Sequence, residues 1–417
     1  MRTRILALTT AAALTAALTS CGGTEAGSDE PVTISFWNTY TASNRPTVEK
    51  IVDDFNASQS AVVVEMTIQP GDVQAQKLLP AYSAGEGPTI AAIDASQVPE
   101  FASLGVIQPV DDLYESGKLD ASQLPEASLA ATEYEGAQYG VPMMATPTML
   151  YYNKSLFEQA GLSEPPSTMD ELAEYAKQLT QYAPGAEATN VHGFAIADSA
   201  APPVWAALLW SRGGGVVDGD PATFGDPATV EAMGYWNDLI QVDHISPVGL
   251  GGVEADALFA AGRAGMLING PWASAGFTEA GVDYGVAPVP AGPAGQFTIA
   301  ISSNMHLNAE ATEEEAAAAY DFFAHWNSEE QQTTWATSTG FPPNLTTIDE
   351  AALAENPTSL AFSKAVGARF YLQGLQQAAA IDSGVVIPTI QRVTNGEGTP
   401  QELLPAAGAQ IEELLSE

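Results

Sequence analysis

Residues 32–37 read VTISFW, apolar and polar by turns, which is the period of a half-buried strand. The period then changes. Val48, Ile51, Val52 and Phe55 recur at i, i+3, i+4 and i+7, a helical stripe with Asn44 and Pro46 as start signals. AVVVEMTI (61–68) predicts a second strand, and a Leu-containing helix over about 72–84 stops at Gly85 and Gly87. TIAAID (89–94) predicts a third strand. Strand, helix, strand, helix, strand implies a parallel sheet with helical crossovers. Ligands of such sheets sit beyond the carboxyl ends of the strands. Two segments fall there: Asn38–Thr41 after the first strand and Asp94–Ser96 after the third.

Alternation resumes after Tyr139. TPTMLYYN (146–153) reads as one strand. Thr168 with Glu171 forms a capping box ahead of Leu172, Tyr175, Ala176 and Leu179 on one helical face. HGFAIA (192–197) predicts a strand, PPVWAALLWSRGGG (202–215) a Pro-started and Gly-ended helix, and AGMLIN (264–269) a further strand. Helices are expected near 227–241 and 254–261. Thr312 with Glu315 starts a helix through Phe322, Phe323 and Trp326, and Ser328 with Gln331 starts another, closed by Gly340 and Pro342. No period of 20–50 residues repeats, which argues against a solenoid.

The N-terminus adds a different pattern. Arg2 and Arg4 precede an apolar run from Ile5 to Leu18, the layout of an export signal and too short to cross a bilayer, which needs roughly 20 residues. Cys21 is the only cysteine, so no internal disulfide forms. LTSC (18–21) resembles the lipobox of bacterial lipoproteins, which implies a signal peptide over 1–20, lipid on Cys21 and a polar linker over 21–31. A diacylglycerol thioether would anchor stably where one acyl chain holds only weakly. No later segment is long and apolar enough to span a membrane. The chain after residue 20 exceeds the usual size of one core, so two domains are expected.

Thirteen basic against 51 acidic residues give a net charge of −38. Nucleic acid and anionic lipid surfaces would repel such a body. An anionic ligand is disfavoured too, because few Lys or Arg are available to pair with it. The sequence lacks a G-x-S-x-G elbow, an H-E-x-x-H motif and a phosphate loop. His192, His244, His306 and His325 are scattered without metal-ligand spacing and read as structural, so no metal or cofactor is expected. Gly213–Gly215 follow a helix and read as its cap. A glycoside hydrolase needs only two carboxylates set apart in space, so that class stays open.

Aromatic and polar residues remain. Of seven Trp, Trp236, Trp326 and Trp335 sit on helical stripes and read as core, and Trp210 lies near a helix end. Trp272 differs, because it comes after a strand and the turn residues Gly270 and Pro271, at a strand's carboxyl end. Polyols need flat apolar faces for their C–H surfaces and a few placed polar groups for their hydroxyls.

Residues 140–180, GVPMMATPTMLYYNKSLFEQAGLSEPPSTMDELAEYAKQLT, closely resemble the matching stretch of carbohydrate-binding solute receptors of ABC transporters, the maltose-binding-like group. ALFAAGRAGMLINGPWA (257–273), YGVAPVPAGPAG (284–295) and SEEQQTTWATSTGFPPN (328–344) resemble further blocks of that family, in its order. The resemblance implies an α/β fold of two lobes, each a sheet flanked by helices, joined by hinge strands and closing over a solute. Carried over, lobe I is 32–144 plus 303–350 and lobe II is 145–302 plus 351–417. It implies that Trp272 stacks on a sugar ring and that Asp94 grips hydroxyls with Ser96 nearby, with plain packing and turn capping as the respective alternatives. Asn38, Tyr40 and Thr41 would face the cleft, with turn capping as the alternative. Thr146 falls where relatives place a polar cleft residue. Trp205 falls near an aromatic platform position, with helical core as the other reading. Arg369, Phe370 and Tyr371 resemble a late segment that closes the cleft, and for Arg369 a salt bridge is the alternative.

The expectation is a lipid-anchored, monomeric, non-catalytic receptor on the outer face of the cytoplasmic membrane. It would capture a carbohydrate and deliver it to the transmembrane subunits of an ABC permease. The rivals are a glycerol-phosphate or glycerophosphodiester receptor of the same fold, a surface glycoside hydrolase, and an adhesin.

Overall fold

The computed structural model describes residues 30–416, apart from 42, 200, 202 and 220. The signal segment, most of the linker and the lipidation position Cys21 lie outside the described residues.

Two sheets organise the chain. The first contains Val32–Asn38 (β1), Val62–Ile68 (β2), Ile90–Ile93 (β3), Ile107–Gln108 (β4), and, after the small hairpin of Glu133–Tyr134 (β5) and Ala137–Gln138 (β6), Val141–Pro147 (β7). The second contains Met149–Asn153 (β8), His192–Ala195 (β9), Ala264–Asn269 (β10) and Tyr284–Ala287 (β11). Thr298–Asn308 (β12) and Ala368–Phe370 (β13) return to the first sheet. β1 pairs in parallel with β2 from Val32↔Val62 to Asn38↔Ile68, and in parallel with β3, as the alternation predicts. The second sheet runs β11-β8-β10-β9 and mixes antiparallel and parallel pairs.

One expectation needs correction. Residues 146–153 are not one strand. β7 ends at Pro147 and β8 begins at Met149, and the two belong to different sheets. Pro147 has no N–H for a ladder. Thr148 is fixed instead by its own N–H to the Ile299 carbonyl at 2.8 Å and by a hydroxyl pair with Thr298 at 2.7 Å. β12, eleven residues long, runs beside this break: its later half pairs with β3 and its earlier half with the end of β7 and with β13. A bulge between Ser303 and Asn304 separates the halves.

Each sheet has its own core. Around the first, Ile34, Phe36, Val64 and Ile90 bury against Phe322, Phe323, Trp326 and Trp335 of the helices Glu313–Trp326 and Glu329–Thr339. Both helices carry the N-caps read from sequence, Thr312 and Ser328. Around the second, Leu150, Phe194 and Met266 bury against Leu172, Trp236, Ile390, Leu404 and Ile411, while Tyr151, Phe259, Phe277 and Phe362 fill its other side. Each such side chain contributes about 1.5–3 kcal/mol, enough to hold each half rigid. The Trp272 side chain packs against both the first core and the Phe259–Phe277 cluster.

Candidate functional site

Asp94 follows β3 directly and caps the short turn Ala95–Gln97. Its Oδ1 accepts from the Ser96 N–H at 2.9 Å and the Ser96 hydroxyl at 2.6 Å. Burial raises the carboxyl above the ordinary range, and the two Ser96 bonds pull it back. The sequence places both residues past a strand end, and the fold leaves them facing a cavity.

Trp272 is held by a buried network. Asn269, the last residue of β10, accepts the Gly270 N–H at 2.8 Å and donates to Asp256 at 2.5 Å. The buried Tyr151 hydroxyl donates to the Gly270 carbonyl at 2.9 Å and sits 2.7 Å from the Ser274 hydroxyl. The indole folds back over Gly270, where a Cβ would lie 2.0 Å from the ring, so only glycine admits this pose. It also lies near Phe341 of the other core, with centroids 6.2 Å apart. The half-buried ring is therefore pre-oriented at the seam of the two cores.

The third contribution comes from late in the chain. β13 delivers Phe370, and Tyr371 follows it. Tyr371 neighbours Asp382, the first residue of a π-helical turn, Asp382–Val386. Such turns inside helices occur often at functional sites. Burial raises Tyr371 well above its usual value, and the neighbouring Asp382 raises it further; burial raises Asp382 as well.

These groups converge. A cavity of about 500 Å³ is lined by Asp94 and Ser96, by Trp272, by Ile299–Ile301 of the long strand, and by Phe370, Tyr371, Gln373 and Asp382. Among the described residues no Lys, Arg or His lines it. Gln376 of the same late segment donates to the Tyr134 hydroxyl on the β5–β6 hairpin, so this segment bridges the two halves beside the cavity. A second cavity, about 560 Å³, shares Phe370, Tyr371 and Gln373 and adds Trp210, Gly213–Gly215, Asp218 and Arg369. The Arg369 guanidinium lies 4.1 Å from the Phe297 ring centroid and forms no ion pair among the described residues.

Of the residues expected from sequence, Asp94, Ser96, Trp272 and Tyr371 come together on the first cavity, and Arg369 lines the second. Asn38, Tyr40, Thr41, Thr146 and Trp205 do not line the first. Asn38 is fully buried, with Oδ1 accepting the Tyr40 N–H, which is the turn-capping alternative. Tyr40 packs edge-on to Trp335. Thr41 is exposed. Thr146 is buried and bonds the Pro147 carbonyl. Trp205 is buried in the helix Val204–Trp210, donates its indole N–H to Asp198 at 3.1 Å, and lines a small neighbouring cavity with Tyr371 and Asp382. Asp382 escaped sequence reading. Its signal is a single acid in the apolar run AAAIDSGVV (378–386). Three of the four His bond backbone carbonyls, of His244, Tyr139 and Ile51. Among the described residues no group of three or more His, Cys, Asp or Glu could hold a metal ion, and no helix is long and apolar enough to cross a membrane.

Residues 50–361 match the family model for bacterial extracellular solute-binding proteins. The chain is a member of that family. The binding protein is 28% identical over 268 residues to the maltotriose-binding protein of Pyrococcus abyssi, a match covering 64% of this chain and 54% of that one. It is 25% identical over 385 residues to the sn-glycerol-3-phosphate-binding periplasmic protein of Rhizobium meliloti, covering 87% of each. The GacH receptor of Streptomyces glaucescens, solved unliganded and with acarbose, superimposes with a TM-score of 0.79 at 27% identity, covering 93% of this chain and 99% of that one. The fold of this binding protein is thus the two-lobed α/β architecture of such receptors.

Proposed function

We propose that this binding protein captures a sugar or short oligosaccharide between two lobes, residues 32–144 plus 303–350 and 145–302 plus 351–417. It delivers that ligand to the membrane-embedded subunits of an ABC importer. The cavity at the seam carries this reading: a pre-oriented indole face for sugar C–H surface, two carboxylates for hydroxyls, and no cationic side chain in the lining. Water leaving as the lobes close strengthens those hydrogen bonds. The maltotriose-binding and acarbose-binding relatives support the sugar class. The protein works as a monomer, tethered through lipid on Cys21 to the outer face of the cytoplasmic membrane. The sugar is carried and not cleaved.

A second reading, a receptor for glycerol phosphate or a glycerophosphodiester, rests on Arg369. Its guanidinium is held over Phe297 without an acidic partner among the described residues, on the cavity next door. The sn-glycerol-3-phosphate-binding relative supports this class. Thermal-shift screening of the protein from Cys21 onward separates the two. Mono- and oligosaccharides raise the melting temperature under the first reading, and glycerol phosphates alone raise it under the second. A protein stabilised by neither class would sink both.

A further inference from the structure

The lining of the first cavity is short of positive charge in a way that neutral sugar binding does not require. Asp94 uses Oδ1 for its two Ser96 bonds, and among the described residues no donor reaches Oδ2. Asp382 has Tyr371 as its polar neighbour. Neither carboxylate forms an ion pair among the described residues, where eight such pairs all lie elsewhere. Asp94 belongs to the first sheet's half of the molecule and Asp382 to a helix packed on the second core, so closing the cavity gathers two acids without a counter-charge. Both acids are half-buried, and a carboxylate shielded from water without a counter-charge is disfavoured. Trp272, Phe370 and Tyr371 line the same cavity, and aromatic faces attract cations.

Carboxylate pair and ring faces together match one ligand chemistry. We propose that the cavity prefers a sugar carrying an ammonium group, with Asp94 and Asp382 as its acceptors on opposite sides and the Trp272 face covering the charge. This rests on the reading that the cavity is the sugar site. A hydroxyl can donate to either acid, but a cation donates bonds roughly twice as strong and also supplies the missing charge. Burial raises both carboxyls, so a bound cation would draw them back toward ionisation. The chain's net charge of −38 draws such a ligand from solution without choosing where it binds.

The test compares sugars with one skeleton and different nitrogen. Isothermal titration near neutral pH takes cellobiose, N,N′-diacetylchitobiose and the fully de-acetylated chitosan disaccharide, with glucose against glucosamine as the shorter pair. Roughly 0.3 M salt screens the overall charge. The amine is expected to bind about tenfold or more tighter than its neutral twin. That ratio is expected to fall toward one in Asp382→Asn and in Asp94→Asn. A ratio between affinities is insensitive to general weakening of the site, and either single variant suffices if the other does not fold. Neutral sugars that bind as tightly as their amines overturn the ammonium preference and leave the sugar reading standing. An unchanged ratio in both folded variants overturns the assignment of the two acids. No sugar of either kind binding the folded protein overturns this inference together with the sugar reading.

Discussion

Two cavities meet at Phe370, Tyr371 and Gln373, and they differ in charge more than in size. The one lined by Trp272 has Asp94 and Asp382 and, among the described residues, no basic lining residue, and the other is lined by Arg369, Asp218 and Asp226. The difference lies in how each wall is built. The acids of the first sit at a strand end and at a π-helical turn, positions fixed by backbone geometry. Arg369 projects from the three-residue strand β13 and is steadied by a phenyl face instead of a carboxylate. One site is therefore rigid and accepts hydrogen bonds, while its neighbour offers free donors on a longer side chain. On the proposed readings, the first wall suits a sugar and the second would serve a ligand that carries an anion.

The sharpest way to break this contrast is at the indole. Trp272→Ala should weaken sugar binding by about 2–3 kcal/mol, some 30- to 150-fold in Kd, while the unliganded protein keeps its circular dichroism spectrum. Gly270→Ala, which never touches the ligand, should act the same way but less strongly, about tenfold, because a Cβ there lies 2.0 Å from the ring. Equal affinity of wild type and both variants would remove Trp272 from the site. Arg369→Ala should then divide the cavities. Competition binding is expected to show less than about threefold change for a neutral sugar and about tenfold loss for glycerol phosphate. Loss of both alike would merge the two cavities into one site.

The smallest expected effect contrasts the two halves in acid. Burial holds Asp256, beside Trp272, at about 6 against an ordinary 3.8, and holds His306, under the first sheet, at about 4 against 6.5. The folded state binds the Asp256 proton more readily than the unfolded chain does. On that account stability is lowest above pH 6 and rises as pH falls below it. His306 has the opposite sign: the unfolded chain takes its proton first, so stability is lost as pH falls from 6.5 toward 4. Asp256→Asn should therefore raise the neutral-pH melting point by the equivalent of about 1 kcal/mol and steepen the decline in acid. A melting curve against pH parallel to wild type would show that Asp256 carries no such penalty.

Much of this was readable along the chain. Alternation and stripe gave β1 to β3 and their crossovers, and hence the position of Asp94 and Ser96 past a strand end. Thr168, Thr312 and Ser328 were legible as caps because an N-cap is a contact within four residues. GPW was legible because a turn at a strand's end exposes the side chain next in line. The break at Thr148 was not, since TPTMLYYN reads as one strand, and it is β12, some 150 residues on, that divides it. Trp205 and Trp272 are equally apolar. One is closed off by its bond to Asp198, the other left half-open by a glycine, and neither outcome is written in its own window.

The sequence by itself determined the local periods, the helix caps, the excess of acid and the resemblance to solute receptors, because each depends on neighbours a few residues apart or on counts. Only the tertiary structure decided which aromatic and acidic groups face a cavity. Asp94, Trp272 and Asp382 come from segments far apart in sequence, and whether a side chain meets solvent or another core is settled by the groups that pack across from it.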